Sequence, residues 1–455
     1  MNILIIPNLH LYPMQPPFSS ADPGVQLFSL DSNWNCALDF ENPQGVSLVR
    51  KKDVASFWPS QYAELRQSPA QPFKVRTLNV WLHLVNACNL ACFYCYIPNL
   101  VKGASPHEVN LQSFKAENIA PTIDAFMEYA RNNGFARLHI KFAGGEPTIR
   151  PDLIKLFCET AYRLETDVRV SFGIVTNGVF DEGLDSILKE NKIRVSISCD
   201  GVGKSHDQIR FIPANHLEPR TGTWDTVVRT IERLQALGIR PYLLHTLTPA
   251  NIDRLDEFAK FAIDHFCGFR LSLVRLPSIP TEQMIERFTN NLTRLYEWLP
   301  DALPLSRSLE RDAKFAEWNL TKRKQSACGS CRNYVALGIN SQISSCQMTM
   351  HDPVGSLQND SLATIMERFG SLERYQTLRN PDRKLGGCVT CELFRVCGGG
   401  CPQHTRMVFG IPDRPSPWCR VYGLFLPHYV TAVGRHMLRR YLAVSDNLQN
   451  SPRCT

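Results

Sequence analysis

Between residues 78 and 276 the chain alternates short apolar, strand-like runs with amphipathic stretches. The runs fall at 78–85, 138–143, 168–175, 194–198, 241–246 and 269–276. Stretches such as 224–237 and 251–266 lie between them; in the latter Ile252, Leu255, Phe258 and Ala262 recur at helical spacing. Six strand–helix alternations predict an α/β domain with a parallel sheet and right-handed crossovers. Periodicity fits a barrel, part of one, or an open doubly wound sheet equally well. Upstream lie β-like runs at 3–6, 25–30 and 46–49, a helical stretch at 55–66 and a Pro-rich linker at 68–73. After about residue 300 the segments become short and rich in Gly and Cys, and an apolar-periodic stretch at 421–442 predicts a terminal helix. There is no internal repeat and no low-complexity tract.

The chain has 455 residues, 44% hydrophobic and 20% charged, enough to bury a large core. Fifty Lys and Arg against 43 Asp and Glu give +7, without a basic run, so neither nucleic acid nor an anionic membrane is an expected partner. The first residues lack a basic n-region and their apolar run stops at Pro7, and no 18-residue apolar stretch suggests a span. A cytoplasmic protein is expected.

Sixteen cysteines change the picture. Without a secretion signal, cysteines in close-spaced groups point to metal rather than disulfides. Cys88, Cys92 and Cys95 form one group; Cys328, Cys331 and Cys346 a second; Cys388, Cys391, Cys397, Cys401 and Cys419 a third. Cys36, Cys158, Cys199, Cys267 and Cys454 are scattered, and Cys158 and Cys267 read as core packing.

The first group is C-x3-C-x2-C just past the end of the first strand, where barrels keep their chemistry. Three thiolates can hold three irons of a 4Fe-4S cube and leave the fourth open to a ligand. Zinc would want a fourth ligand close by. With Tyr94 before its last cysteine, the motif resembles the signature of the radical S-adenosylmethionine (SAM) superfamily. Further matches follow in the family's order. Gly144-Gly145-Glu146-Pro147 resembles the motif that binds the SAM amino group, and Thr176-Asn177-Gly178 ends the third strand. Ser196 to Gly201 with His206-Asp207 and Arg210 resembles the block of the branch that matures proteins and peptides. By that resemblance Cys88, Cys92 and Cys95 hold the catalytic cluster, and Tyr94, Asn177 and Asp200 belong to the cofactor site. It also gives Ser198 the SAM ribose, Arg210 its carboxylate, and Leu271 the adenine.

Cys388-x2-Cys391-x5-Cys397-x3-Cys401 is the most specific signal in the chain. Its thiolates suit zinc or iron–sulfur alike. With Cys331, Cys346 and Cys419 it resembles the SPASM extension of radical SAM enzymes, which carries two auxiliary clusters. The resemblance assigns Cys328, Cys331, Cys346 and Cys401 to one cluster, and Cys388, Cys391, Cys397 and Cys419 to the other. One departure stands out: the family's glycine five residues before Cys346 is Ser341 here.

The resemblance therefore implies a partial (β/α)6 TIM-like barrel with a C-terminal Cys-rich SPASM domain, three 4Fe-4S clusters and SAM. It divides the chain into a β-rich region (1–77, a candidate leader contact), the barrel (78–300), a bridge (301–327), the SPASM domain (328–425) and a C-terminal helix and tail (426–455). The implied activity is reductive cleavage of SAM to a 5′-deoxyadenosyl radical that takes hydrogen from a ribosomally made precursor peptide. Crosslink formation is the first expectation and peptide splicing the second. Gln347 stands where the sulfatase-maturing branch has an Asp, and this disfavours formylglycine formation. An external electron donor and a separate small leader-binding protein are the expected partners. The rival class is a non-catalytic iron–sulfur carrier or zinc-binding protein, which leaves the open-iron motif and the GGEP and Ser198/Arg210 segments without a purpose.

Overall fold

The structure is a computed structural model, described for residues 25–30, 34–39, 46–50, 77–97, 100–103, 106–165, 167–214, 219–315, 318, 328–372, 388, 391 and 394–449. The elements expected at 3–6, 55–66 and 68–73 lie outside the described residues, as does Cys454. The chain divides into two units. One combines residues 1–73, 276–327 and 384–455; the other combines 74–275 and 328–383.

In the first unit, β1 (Val25–Ser29), β2 (Trp34–Asp39) and β3 (Val46–Arg50) form an antiparallel sheet in that order. A long helix, Cys419–Gln449, passes against it and also packs on the helix Glu282–Ala302. The latter starts where the Thr281 hydroxyl accepts from the Met284 amide, a side-chain N-cap. Aromatic side chains fill the core of this unit. Tyr296 meets Phe425 and Tyr429 at centroid distances of 5.3 and 5.0 Å, and Trp318 stacks on Phe425 at 5.1 Å. Such buried rings contribute roughly 2–3 kcal/mol each by area alone.

The second unit is built on a mixed sheet. Its strands are β4 (Thr77–Val85), β5 (Arg137–Gly144), β6 (Arg169–Thr176), β7 (Arg194–Ser198), β8 (Tyr242–Leu247), β9 (Gly268–Leu273), β10 (Tyr334–Leu337), β11 (Gln342–Ser344) and β12 (Gly355–Ser356). Their order is β9-β8-β7-β6-β5-β4-β10-β11-β12. β4 to β9 pair in parallel, each within three residues of its expected place, and helices such as Pro151–Arg163, Trp224–Ala236 and Leu255–Asp264 make the crossovers. Leu78, Val80, Leu82 and Leu84 alternate along β4 and are all buried, the period-two pattern of a covered face. On that side Phe142 stacks on Phe172 at 5.7 Å and meets Phe157 at 6.1 Å. Cys158, Cys199 and Cys267 are fully buried; Cys158 lies on a helix, whereas Cys267 sits between Leu255–Asp264 and β9.

The sequence pattern gave no hint of β10, which pairs parallel to β4, with Ala336 opposite Trp81. Asn333 fastens it: its carbonyl accepts from the Asn79 amide at 2.7 Å, and its side chain donates to the Thr77 carbonyl at 3.2 Å. The β10–β11 hairpin carries Cys331 at its start and Cys346 just past its end. The C-terminal ends of β4 to β7 converge on the remaining motifs, the edge where parallel sheets keep their ligands.

Candidate active site

β4 leads through Asn86 into Ala87–Cys88, which pairs with Val101–Lys102 and starts the cysteine loop. Cys88 is buried, whereas Cys92 and Cys95 are partly open. The Cys88 sulfur accepts from the Leu90 amide at 3.4 Å. Burial, then the nearby Glu146 carboxylate, pushes the Cys88 thiol up to about 12. Burial also raises Cys92, while the Arg210 guanidinium opposes that shift. Buried thiols that raise one another's pKa are a set waiting for positive charge, which iron ions provide.

The two glycines of the GGEP segment are required by close approach. A Cβ on Gly144 (φ +114°) would lie 2.4 Å from the Val85 carbonyl oxygen, and one on Gly145 2.0 Å from that of Ala87. The backbone runs this close because the Gly145 amide donates to Val85 and the Glu146 amide to Ala87, at 2.7 and 2.9 Å. Glu146 is itself buried, and its carboxylate takes Thr148 on one oxygen and the Asn177 amide, at 2.7 Å, on the other. Burial raises its pKa and these hydrogen bonds hold it down. The Asn177 side chain donates to Asn89 Oδ1 at 2.7 Å and lies 3.9 Å from the Cys88 sulfur. Glu146 and Asn177 thus fasten three strand ends to the cysteine loop. Asn89 is a member the motif reading passed over, because a lone Asn between two motif cysteines carries no signal until its partner is seen.

Asp200 and Arg210 form a fully buried ion pair, Nε to Oδ2 at 2.6 Å. The Tyr94 hydroxyl donates to Asp200 and accepts from Arg210 Nη2. Arg210 Nη1 points at the Cys92 sulfur, 3.7 Å away. Burial pushes Asp200 up, but Arg210, His245 and the hydrogen bonds from Tyr94 and Thr246 together outweigh it and hold the carboxyl below the usual range. His206 and Asp207 serve the frame: Asp207 accepts from the Thr223 and Trp224 amides at 2.7 and 2.8 Å, at the start of Trp224–Ala236. Ser198 is half-buried at the end of β7. Leu271 shares the helix-packed face of β9 with Phe269, whose ring meets Phe258.

In the same unit, Cys331 is fully buried with φ +62°. The Ser330 amide donates to the Cys328 sulfur at 3.3 Å, and its hydroxyl lies 3.4 Å from the Cys331 sulfur. Burial raises the Tyr334 phenol, and Cys346 and Cys328 raise it further. Gln347 donates its amide to the Tyr96 hydroxyl.

In the other unit, Cys388, Cys391, Cys397 and Cys419 line one cavity with Gly399, Ser416 and Tyr422. Gly398, Gly399 and Gly400 all have left-handed backbone (φ +61°, +78° and +79°), which lets the chain turn back around this space. Cys419 begins the long helix, and Cys401 caps the helix Pro402–Phe409. Among the described residues no three Cys, His, Asp or Glu side chains converge as a single ion would require. A cube asks for less, since each thiolate takes its own iron. No described helix is long and apolar enough to cross a membrane.

Residues 82–262 match the Radical SAM superfamily. The chain is 28% identical over 352 residues to the mycofactocin maturase MftC of Mycobacterium tuberculosis, covering 74% of this chain and 81% of that one. It is 24% identical over 366 residues to a cysteine-type anaerobic sulfatase-maturating enzyme of Clostridium novyi, covering 74% and 91%. Among solved structures, anSMEcpe with bound AdoMet superposes with a TM-score of 0.60 at 17% identity, covering 82% of this chain and all of that one. Streptococcus suis SuiB gives 0.50 at 17%, covering 75% and 76%. These two likenesses establish the fold, the partial barrel of radical SAM enzymes. The cysteine loop and its glycine partners thus lie within a radical SAM domain, residues 82–262, of the superfamily defined by a 4Fe-4S cluster and SAM.

Proposed function

We propose that this chain is a peptide maturase holding three 4Fe-4S clusters, acting on a ribosomally made precursor peptide to form a crosslink. The observation that carries it is the cavity bordered by Cys388, Cys391, Cys397 and Cys419. Those four cysteines line a space in a different unit from the Cys88–Cys95 loop, and cluster ligation needs four thiolates. The names of the relatives, maturases of mycofactocin and of sulfatases, support a peptide or protein substrate.

When bound, the cluster and SAM supply one-electron cleavage of SAM and a radical that takes hydrogen from the substrate. Cys88, Cys92 and Cys95 would hold that cluster. Gly144 to Pro147 would face the SAM amino group and Ser198 the ribose, with Asn177 in the same site. Asp200, Tyr94 and the Cys92 sulfur take three of the five N–H bonds of Arg210, so its fork retains two donors for a carboxylate. Cys328, Cys331, Cys346 and Cys401 would hold the first auxiliary cluster and the cavity cysteines the second. Gln347 presents an amide where a carboxylate base is needed for formylglycine formation, and it is engaged with Tyr96. An external donor supplies electrons, and a separate leader-binding protein assists, in this reading.

Anaerobic reconstitution tests it. The full chain is expected to hold about twelve irons and twelve sulfides if three cubes are present. A content near four irons, or stoichiometric zinc, overturns the proposal.

A further inference from the structure

Besides its four cysteines and Gly399, the cavity at Cys388 and Cys419 is lined by Ser416 and Tyr422. The Tyr422 ring packs on Trp318 and Phe315, at centroid distances of 6.0 and 6.3 Å. Ser416 is 5% exposed and lies between the glycine run and the start of the long helix. Its amide donates to the Gly399 carbonyl at 3.1 Å. A Cβ on Gly400 would lie 2.6 Å from the Ser416 Cβ and 2.9 Å from its hydroxyl oxygen, so the two segments are in direct contact.

The helix start explains half of what this serine does. Pro417 follows it, and a residue before proline keeps to extended backbone, the conformation an N-cap needs. The Ser416 hydroxyl oxygen accepts from the Trp418 amide at 3.2 Å, and its carbonyl from the Cys419 amide at 2.8 Å. Trp418 is buried and stacks on Phe288 at 4.9 Å, which anchors the turn in the core. Capping uses a lone pair of the hydroxyl and leaves its proton to be placed. Among the described residues the hydroxyl's one hydrogen bond is the one it accepts. A buried donor without an acceptor is costly, and the cavity that Ser416 lines is bordered by sulfurs. One of these, on Cys397, already accepts from the Gly399 amide at 3.3 Å.

We propose that the Ser416 hydroxyl donates to a sulfur of the group held by Cys388, Cys391, Cys397 and Cys419, and raises the reduction potential of that group. Hydrogen bonds to cluster sulfurs set such potentials, because reduction adds negative charge that a donor stabilises. A higher potential favours taking electrons over giving them, the direction a net oxidation of the substrate needs. The inference rests on the proposed second auxiliary cluster; the free donor on Ser416 does not.

A redox titration of the reconstituted full chain, followed by electron paramagnetic resonance, tests it. The couple that Cys419→Ala removes or shifts is the one at this cavity. Ser416→Gly takes away the hydroxyl and spares the helix start, since glycine serves nearly as well as a cap. At the wild-type midpoint the reduced-to-oxidised ratio of that couple is expected to fall about tenfold in Ser416→Gly, about 59 mV for one electron. About twelve irons are expected to stay, and the other couples to keep their midpoints. An unmoved couple with the irons retained overturns the proposal and leaves the cluster assignment standing. If Ser416→Gly sheds iron, Ser416→Ala, which keeps the Cβ against Gly400, is titrated in its place with the same two outcomes. Loss of iron from both variants assigns Ser416 to the helix start alone and overturns the proposal as well. If the wild type itself holds about eight irons and Cys419→Ala alters no couple, the second auxiliary cluster falls, and the role of Ser416 falls with it.

Discussion

The Cys88–Cys95 loop and the Cys388–Cys419 cavity both gather thiols, yet they are built differently. The first is made by the sheet. Two glycines of β5 and its turn press on the backbone of β4, and a buried carboxylate ties the next strand end to the same place. The second rests on three successive left-handed glycines and the first residue of a helix, with Cys391 and Cys419 exposed. A site formed from strand ends inherits its geometry from a hydrogen-bonded ladder and a buried core. A site formed from turns gains order mainly from what its ligands bind. The cluster that does chemistry thus sits on the stiffer frame, and the cavity's cysteines on the more ligand-dependent one.

Removing the first set entirely gives the largest contrast. Cys88, Cys92 and Cys95 replaced together by Ala are expected to abolish SAM cleavage and to leave about eight irons, two intact cubes. Deoxyadenosine formed by that variant under dithionite refutes the assignment of the catalytic cluster. A single methyl group tests the frame. Gly145→Ala meets the Ala87 carbonyl at 2.0 Å, with backbone that has no flexible end to yield. It is expected to cost about 4 kcal/mol or more in denaturant unfolding and to strip the first cluster. Gly400→Ala, at φ +79° and 2.6 Å from the Ser416 Cβ, is expected to lower iron content in the cavity while SAM cleavage persists. Equal loss of cleavage in the two variants removes the distinction between the sites.

Cys419→Ala sharpens the comparison from the other side. Product formation is expected to fall about tenfold more than SAM cleavage, a difference of about 1.4 kcal/mol between the two steps. Equal losses mean that this cysteine serves folding alone. The smallest effect is at Ser341, where the family has glycine. It is held at φ +59°, buried, with a hydroxyl that has no partner among the described residues. Ser341→Gly relieves both and is expected to stabilise the protein by about 1 kcal/mol, a rise in Tm of about 1–2 °C.

Much of this was legible in the residues. The six parallel strands, their crossover helices and the terminal helix follow from hydrophobic period, because local spacing fixes which face each element buries. The thiol groups follow from spacing, since metal ligation on one loop needs neighbours in sequence. What sequence left unread is non-local. β10 joins β4 through Asn79 and Asn333, 254 residues apart, and no local pattern announces such a pairing. Glu146 reads as a ligand residue in its motif, but its carboxylate is spent on Thr148, two residues on, and on the Asn177 amide, at a strand end brought to it only by folding. Arg210 reads as a cofactor residue too; the fold gives it Asp200, Tyr94 and the Cys92 sulfur first. Only parallel pairing puts Lys141 over Trp81 and in register with Gly173 and Arg194, because register is a property of two strands and never of one.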